Sequence, residues 1–163
     1  MGVAADSQAE SRKQFMRIAL QMAERGMAAG GPPVGACLVR DDQVIASAHN
    51  AVIGELDITA HAEICLLREA CRAERALQLA GTTLYVTVEP CTMCLAACFY
   101  AGVSEIYFGA PIELMQAKTG AELCTDAAQL YAGTERAPQI SGGLLTEECS
   151  DLLQSWQPLG GRR

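Results

Sequence analysis

Apolar positions along this chain recur at two spacings, and the changes between them mark out the elements. Ser7 and Glu10 make a capping-box pair. Phe15, Ile18, Ala19 and Met22 then follow at helical spacing, predicting a first helix over residues 7–28. Gly30-Gly31-Pro32-Pro33 ends it. Residues 34–40 and 44–48, on either side of Asp41-Asp42-Gln43, predict a β-hairpin. A loop over residues 50–58 follows. Ile64, Leu67, Ala70 and Cys71 share one face of a helix expected over residues 59–75. Residues 83–88 are β-branched and apolar, the pattern of a buried strand, and Pro90 stops them. A helix over residues 92–101 with Gly102 as its C′ residue and a short strand over 105–108 come next. Residues 111–139 show no sustained period; a helix over 121–131 is the best reading. Cys149, Leu152, Leu153 and Trp156 form one stripe of a last helix. This order predicts a three-layer αβα domain, with helices on both faces of a mixed sheet.

Composition narrows the picture. A chain of 163 residues, half of them apolar and 19% charged, is expected to fold as one domain over residues 1–163, with residues 1–6 and 158–163 as loose ends. No run approaches the ~20 apolar residues that span a bilayer, and no secretory leader is recognisable, so a cytoplasmic protein without membrane contact is expected. Met1-Gly2 opens a myristoylation pattern that Asp6 breaks. The net charge of −7 sets a repulsive field against phosphates, so a small-molecule substrate is favoured over nucleic acid. With eight cysteines and no leader, metal ligation or core packing outranks disulfides. Cys37, Cys65, Cys71, Cys124 and Cys149 are read as core residues, His49 as a strand-end histidine, and Arg68, Arg72 and Arg75 as a solvated helix face.

Two short motifs carry chemistry, and each lies at the start of an expected helix: Thr59-Ala60-His61-Ala62-Glu63 and Glu89-Pro90-Cys91-Thr92-Met93-Cys94. Cys91 and Cys94 are helical neighbours at i and i+3, close enough to share one ion. A helix N-terminus also favours thiolate over thiol. His61 supplies a third ligand. Three protein ligands plus an open position is the catalytic pattern for zinc, which turns bound water into hydroxide near neutral pH. Glu63 stands two residues from His61, so the two side chains do not share a helix face. It is placed instead to move protons for that water. Cys98, one turn after Cys94, is either a fourth ligand closing a structural site or a core residue; the latter is favoured because a closed site leaves Glu63 without use.

His-x-Glu followed by Pro-Cys-x-x-Cys is the zinc deaminase signature. With Pro33-Val34-Gly35-Ala36, His49-Asn50, residues 84–94 and Phe108-Gly109-Ala110, the chain resembles the cytidine deaminase-like superfamily over residues 15–110. It is most similar to the branch of guanine deaminases, fungal-type cytosine deaminase and tRNA adenosine deaminases. The resemblance implies a central five-stranded sheet, one zinc ion per chain and a homodimer. It also implies substrate contacts from Asn50, Pro33, Val34, Gly35, Ala36, the Ala62 backbone N–H and Glu89, with Trp156 as an anchor of the last helix or a cap on the pocket. The expected reaction is hydrolytic deamination of a guanine-like or cytosine-like free base. Deamination of the tRNA wobble adenosine is the alternative, supported by Lys118-Thr119-Gly120-Ala121, and a non-catalytic zinc module is a second.

Overall fold

The computed structural model describes residues 2–158, with side chains from residue 6 onward. The expected loose end over residues 159–163 lies outside the described residues. Residues 2–6 are helical rather than loose. Helix α1 spans Gly2–Ala28, so the Ser7–Glu10 pair sits inside it and does not start it. Ser7 has its carbonyl in the helix, accepting from Ser11 Oγ at 3.1 Å.

Five strands form one sheet in the order β2-β1-β3-β4-β5. They are β1 (Gly35–Arg40), β2 (Gln43–His49), β3 (Thr83–Val88), β4 (Glu105–Ala110) and β5 (Gln139–Ser141). β1 runs antiparallel to β2 and β3, while β4 runs parallel to β3 and β5. Asp41 and Asp42 turn the hairpin with φ of 50° and 56°. Two left-handed residues suit the right-handed twist of the flanking strands. The remaining helices are α2 (Val52–Glu55), α3 (Ala62–Glu74), α4 (Thr92–Ala101), α5 (Ile112–Thr119), α6 (Ala127–Leu130) and α7 (Thr146–Ser155).

Side-chain alternation divides the core between two faces. Tyr85 of β3 meets Phe15 of α1 at 5.4 Å between ring centroids and stacks on Tyr107 of β4 at 5.5 Å. Arg12 of α1 lies 4.7 Å above the Tyr107 ring. Gly109 belongs to the same face, and a Cβ there would occupy the space of the Cys149 side chain from α7. The opposite parity, Leu38, Leu84, Val86 and Ile106, is fully buried on the other face. Helix α3 packs against β1, β2 and α4.

Where the pattern lacked a period, the elements differ from expectation. The 50–58 loop contains α2, and α3 begins at Ala62 rather than Thr59 because Asp57 Oδ1 captures the Thr59 N–H at 2.8 Å and its hydroxyl at 2.7 Å. Residues 111–139 hold α5, α6 and β5; the helix expected over 121–131 is confined to Ala127–Leu130. Asp126 caps that short helix by accepting from Ala128 N.

This topology gathers one edge of the sheet. β3 and β4 end where the antiparallel β1 begins and where β2 finishes, in the register Gly35↔His49 and Val88↔Ala110. The starts of α3 and α4 open onto that edge.

Candidate zinc and catalytic site

His61 and Cys91 are the extended residues immediately before α3 and α4, and Glu63 and Cys94 stand in the first turns of those helices. Pro90 and the β3 terminus therefore deliver the sulfurs, while the Asp57–Thr59 turn delivers the imidazole. His61 Nδ1 lies 3.7 Å from Cys91 Sγ and 3.6 Å from Cys94 Sγ. All three donor atoms fall within 4.8 Å of one another. A tetrahedral zinc, with bonds of about 2.05 Å to nitrogen and about 2.3 Å to sulfur, holds such atoms about 3.6 Å apart. The residues fit the ion. Cys98 is fully buried in the main apolar core and is not among the converging donors, so the closed four-ligand arrangement is absent among the described residues.

Electrostatics within the site follow from burial and from the pairing of the sulfurs. The Cys94 hydrogen bond and then His61 pull the Cys91 thiol down to about 4, against the effect of burial. Cys94 moves up, because its proton is held by the hydrogen bond to Cys91. The hydrogen bond to Cys91 raises His61 against desolvation, and the charges of Glu63 and Cys91 add to the rise. Glu63 is 3% exposed and its Oε2 has no hydrogen-bond partner among the described residues. Burial pushes its carboxyl up to about 7, with the Cys91 charge adding to the effect. An unpartnered carboxylate oxygen this deeply buried is costly unless a ligand or water completes it.

A cavity of about 550 Å³ opens onto these groups, lined by His61, Glu63 and Cys91 together with Val34, Asn50 and Glu89. That size lies in the usual range for small-ligand sites, about 300–1,000 Å³. Asn50 is 7% exposed, and its Oδ1 accepts from Val52 N at 3.2 Å, which leaves its amide N–H groups to face a ligand. Glu89 Oε2 accepts from Ile112 N at 3.2 Å.

The other expected contacts need correction. Pro33 and Ala36 are buried away from the cavity, and Gly35 packs against the α1 backbone, so only Val34 of that run lines it. Ala62 is buried at the start of α3, where a backbone N–H has no intrahelical partner, but it does not line the cavity. Trp156 packs into the apolar core; Pro158 reaches the cavity instead. Cys124 is exposed rather than in the core, and Cys65 and Cys71 are partly buried. Lys118, Thr119, Ala121 and Glu122, from the aperiodic segment, also form part of the wall. In the sequence, Lys118-Thr119-Gly120-Ala121 resembles the tRNA deaminases and Glu122 is a candidate acidic substrate contact.

Known proteins bear on this geometry. The model of the cytidine and deoxycytidylate deaminase zinc-binding region matches residues 9–110. The tRNA-specific adenosine deaminase of Agrobacterium fabrum is 37% identical over 145 residues, covering 89% of this chain and 93% of that protein. A structure from work on A-to-I editing by tRNA:A34 deaminases is 34% identical with a TM-score of 0.72, covering 86% of this chain and 99% of that one. A guanine deaminase of Nitrosomonas europaea superposes with a TM-score of 0.77 at 26% identity, over 87% of this chain and 82% of that one.

The expectation of a guanine-like or cytosine-like free base is overturned. A Bacillus subtilis protein 35% identical over 87% of this chain and 86% of its own length is likewise named a tRNA-specific adenosine deaminase, and an Arabidopsis thaliana protein 47% identical over 87% of this chain, but 12% of its own length, is named a tRNA(adenine(34)) deaminase. Two signals misled: the net charge of −7, which averages over the whole surface and says little about one cavity, and the length of the segment over residues 111–120, which resembles that of guanine deaminases.

Proposed function

This chain belongs to the family of the cytidine and deoxycytidylate deaminase zinc-binding region, and from that premise we propose that it converts the wobble adenosine of a transfer RNA to inosine, releasing ammonia. The observation that carries the chemistry is the buried, unpartnered Oε2 of Glu63 in the cavity where His61 and Cys91 meet. The similarity to tRNA deaminases along 89% of the chain supports the substrate.

His61, Cys91 and Cys94 would hold the zinc. When bound, zinc supplies the Lewis acidity that makes water a nucleophile near neutral pH. Glu63 takes a proton from the attacking water and delivers it to adenine N1, then takes the second proton from the hydroxyl added at C6 and passes it to the departing amine. Its carboxyl, held near 7, is matched to that shuttling. Asn50 donates from its amide to a ring acceptor, and Val34 packs against the ring. The overall change is adenosine plus water to inosine plus ammonia.

A wobble base in an anticodon loop is already unpaired, so bringing it into the cavity requires little more than unstacking. A homodimer is part of this reading. Its support is an apolar groove along α3 and α4 that includes Leu77 and Tyr100, 83% and 75% exposed.

The test is incubation of zinc-loaded protein with an anticodon stem-loop carrying adenosine at the wobble position, read by nuclease digestion and mass spectrometry. One inosine at that position is expected, and free guanine and cytosine release no ammonia. No inosine in the RNA overturns the proposal.

A further inference from the structure

Three carboxylates line the cavity, and the mechanism uses only one. Glu63 moves protons. Glu89 accepts from the Ile112 N–H. Glu122 belongs to the wall without an assigned task.

Its segment is held on both sides. Gln116 Oε1 accepts the Glu122 N–H at 2.7 Å. Thr119 Oγ1 lies 3.0 Å from Glu122 Oε1 and 3.1 Å from Met115 O, sharing one proton between them. The next residue, Leu123, accepts at its carbonyl from both the N–H and the hydroxyl of Thr92, at 3.0 and 2.9 Å. Thr92 stands between the two zinc-binding cysteines in sequence. The carboxylate is therefore tied to the metal-binding turn through a single residue, and its Oε2 has no partner among the described residues.

The wall's charge decides what Glu122 can bind. The one cation among the described lining residues is Lys118. Its ammonium is committed to the backbone carbonyls of Gln154 and Trp156, at 2.9 and 2.7 Å, at the end of α7. Among the described residues, a phosphate entering here would meet carboxylates and no uncommitted lining cation. A carboxylate accepts hydrogen bonds only, so its ligand must bring a donor. Adenine has one donor group on its base, the amine that leaves. The donor that every RNA nucleotide carries, and DNA lacks, is the ribose 2′-hydroxyl.

We infer that Glu122 is a specificity-determining residue that accepts a hydrogen bond from a ribose 2′-hydroxyl at or beside the target nucleotide, selecting RNA over DNA. The inference rests on the RNA deaminase reading above. A base amino group on a neighbouring nucleotide has the same chemistry, so the substrates must separate the two donors.

The experiment compares kcat and KM of zinc-loaded wild type, Glu122→Gln and Glu122→Ala. The substrates are the wobble-adenosine stem-loop, versions with a single 2′-deoxy substitution at the target or at either neighbour, and versions with neighbouring bases exchanged. Thermal melting and zinc content of both variants check the fold. For wild type, one 2′-deoxy substitution lowers kcat/KM by roughly tenfold or more, as loss of a hydrogen bond to a charged group predicts. In Glu122→Ala that penalty shrinks to under about threefold, with Glu122→Gln in between. A deoxy penalty unchanged in Glu122→Ala overturns the inference while leaving the RNA reading intact. A penalty that tracks neighbouring base identity instead of the 2′-hydroxyl overturns the ribose assignment. Wild type with full zinc and no activity on any stem-loop overturns both.

Discussion

Glu63 is 3% exposed in the first turn of α3, with its carboxyl raised from 4.5 to about 7 by burial. Because its folded-state pKa is raised, the folded metal-free chain holds a proton that the unfolded chain releases between those values. The contribution is fully present below pH 4.5 and is lost as pH rises through about 7. Glu63→Gln removes that titration while leaving the neighbouring cysteines and His61 in place. The stability of the zinc-free variant relative to wild type should therefore grow by about 3 kcal/mol between pH 4.5 and 8, measured by urea unfolding. A gap that does not change with pH contradicts the buried carboxylate. In the zinc-loaded protein the same substitution should lower kcat by about 10²–10⁴-fold while zinc content by atomic absorption stays at one per chain. Cys94→Ser should lose zinc. Cys98→Ala should keep it and melt at lower temperature, because Cys98 packs in the core. His61, Cys91 and Cys94 were legible in the sequence as a possible metal site because coordination chemistry fixes their types and spacing, and the structure brings them together. Glu122 and Lys118 could be noticed but not placed, since single charged residues in an aperiodic stretch carry no spacing that fixes where their side chains go.

Elements with a strong period or punctuation were readable from the pattern. β3 and α4 occupy the expected residues, because Pro90 and Gly102 fix their ends by backbone geometry. The segment after β4 was not readable, because α5 and α6 are short, α5 burying only Ile112 and Met115 and α6 burying no residue fully. Helix starts were also displaced by local side-chain bonds such as Asp57 to Thr59. The meeting of α1 with β1 was invisible in the sequence and gives a sharp test. A Cβ at Gly35 would collide with the α1 backbone at Ala19 and Ala23, so Gly35→Ala should cost about 3 kcal/mol or more in thermal or urea unfolding. Gly54, in α2, has open space around its Cβ position, and Gly54→Ala should be neutral or stabilising by up to about 1 kcal/mol. Equal effects at the two sites contradict the close packing of α1 on the sheet.

At the scale of the molecule, the mixed sheet places two parallel strand ends and one antiparallel strand start at the same edge, and the site follows from that topology. Fold class and zinc chemistry were therefore readable from two motifs and their order. Substrate was not, because an overall charge of −7 does not describe the field at a cavity mouth. No helix among the described residues is long and apolar enough to cross a membrane. If the α3–α4 groove joins two copies, Leu77→Glu with Tyr100→Glu should halve the mass seen in sedimentation, and an unchanged mass contradicts that face.

Every step of the proposed chemistry depends on His61, Cys91 and Cys94 holding zinc and leaving one position to water. X-ray absorption at the zinc edge of the loaded protein reads that directly. Two sulfurs at about 2.3 Å with two nitrogen or oxygen atoms at about 2.0–2.1 Å is the expected result. Three or four sulfurs around the metal would contradict it.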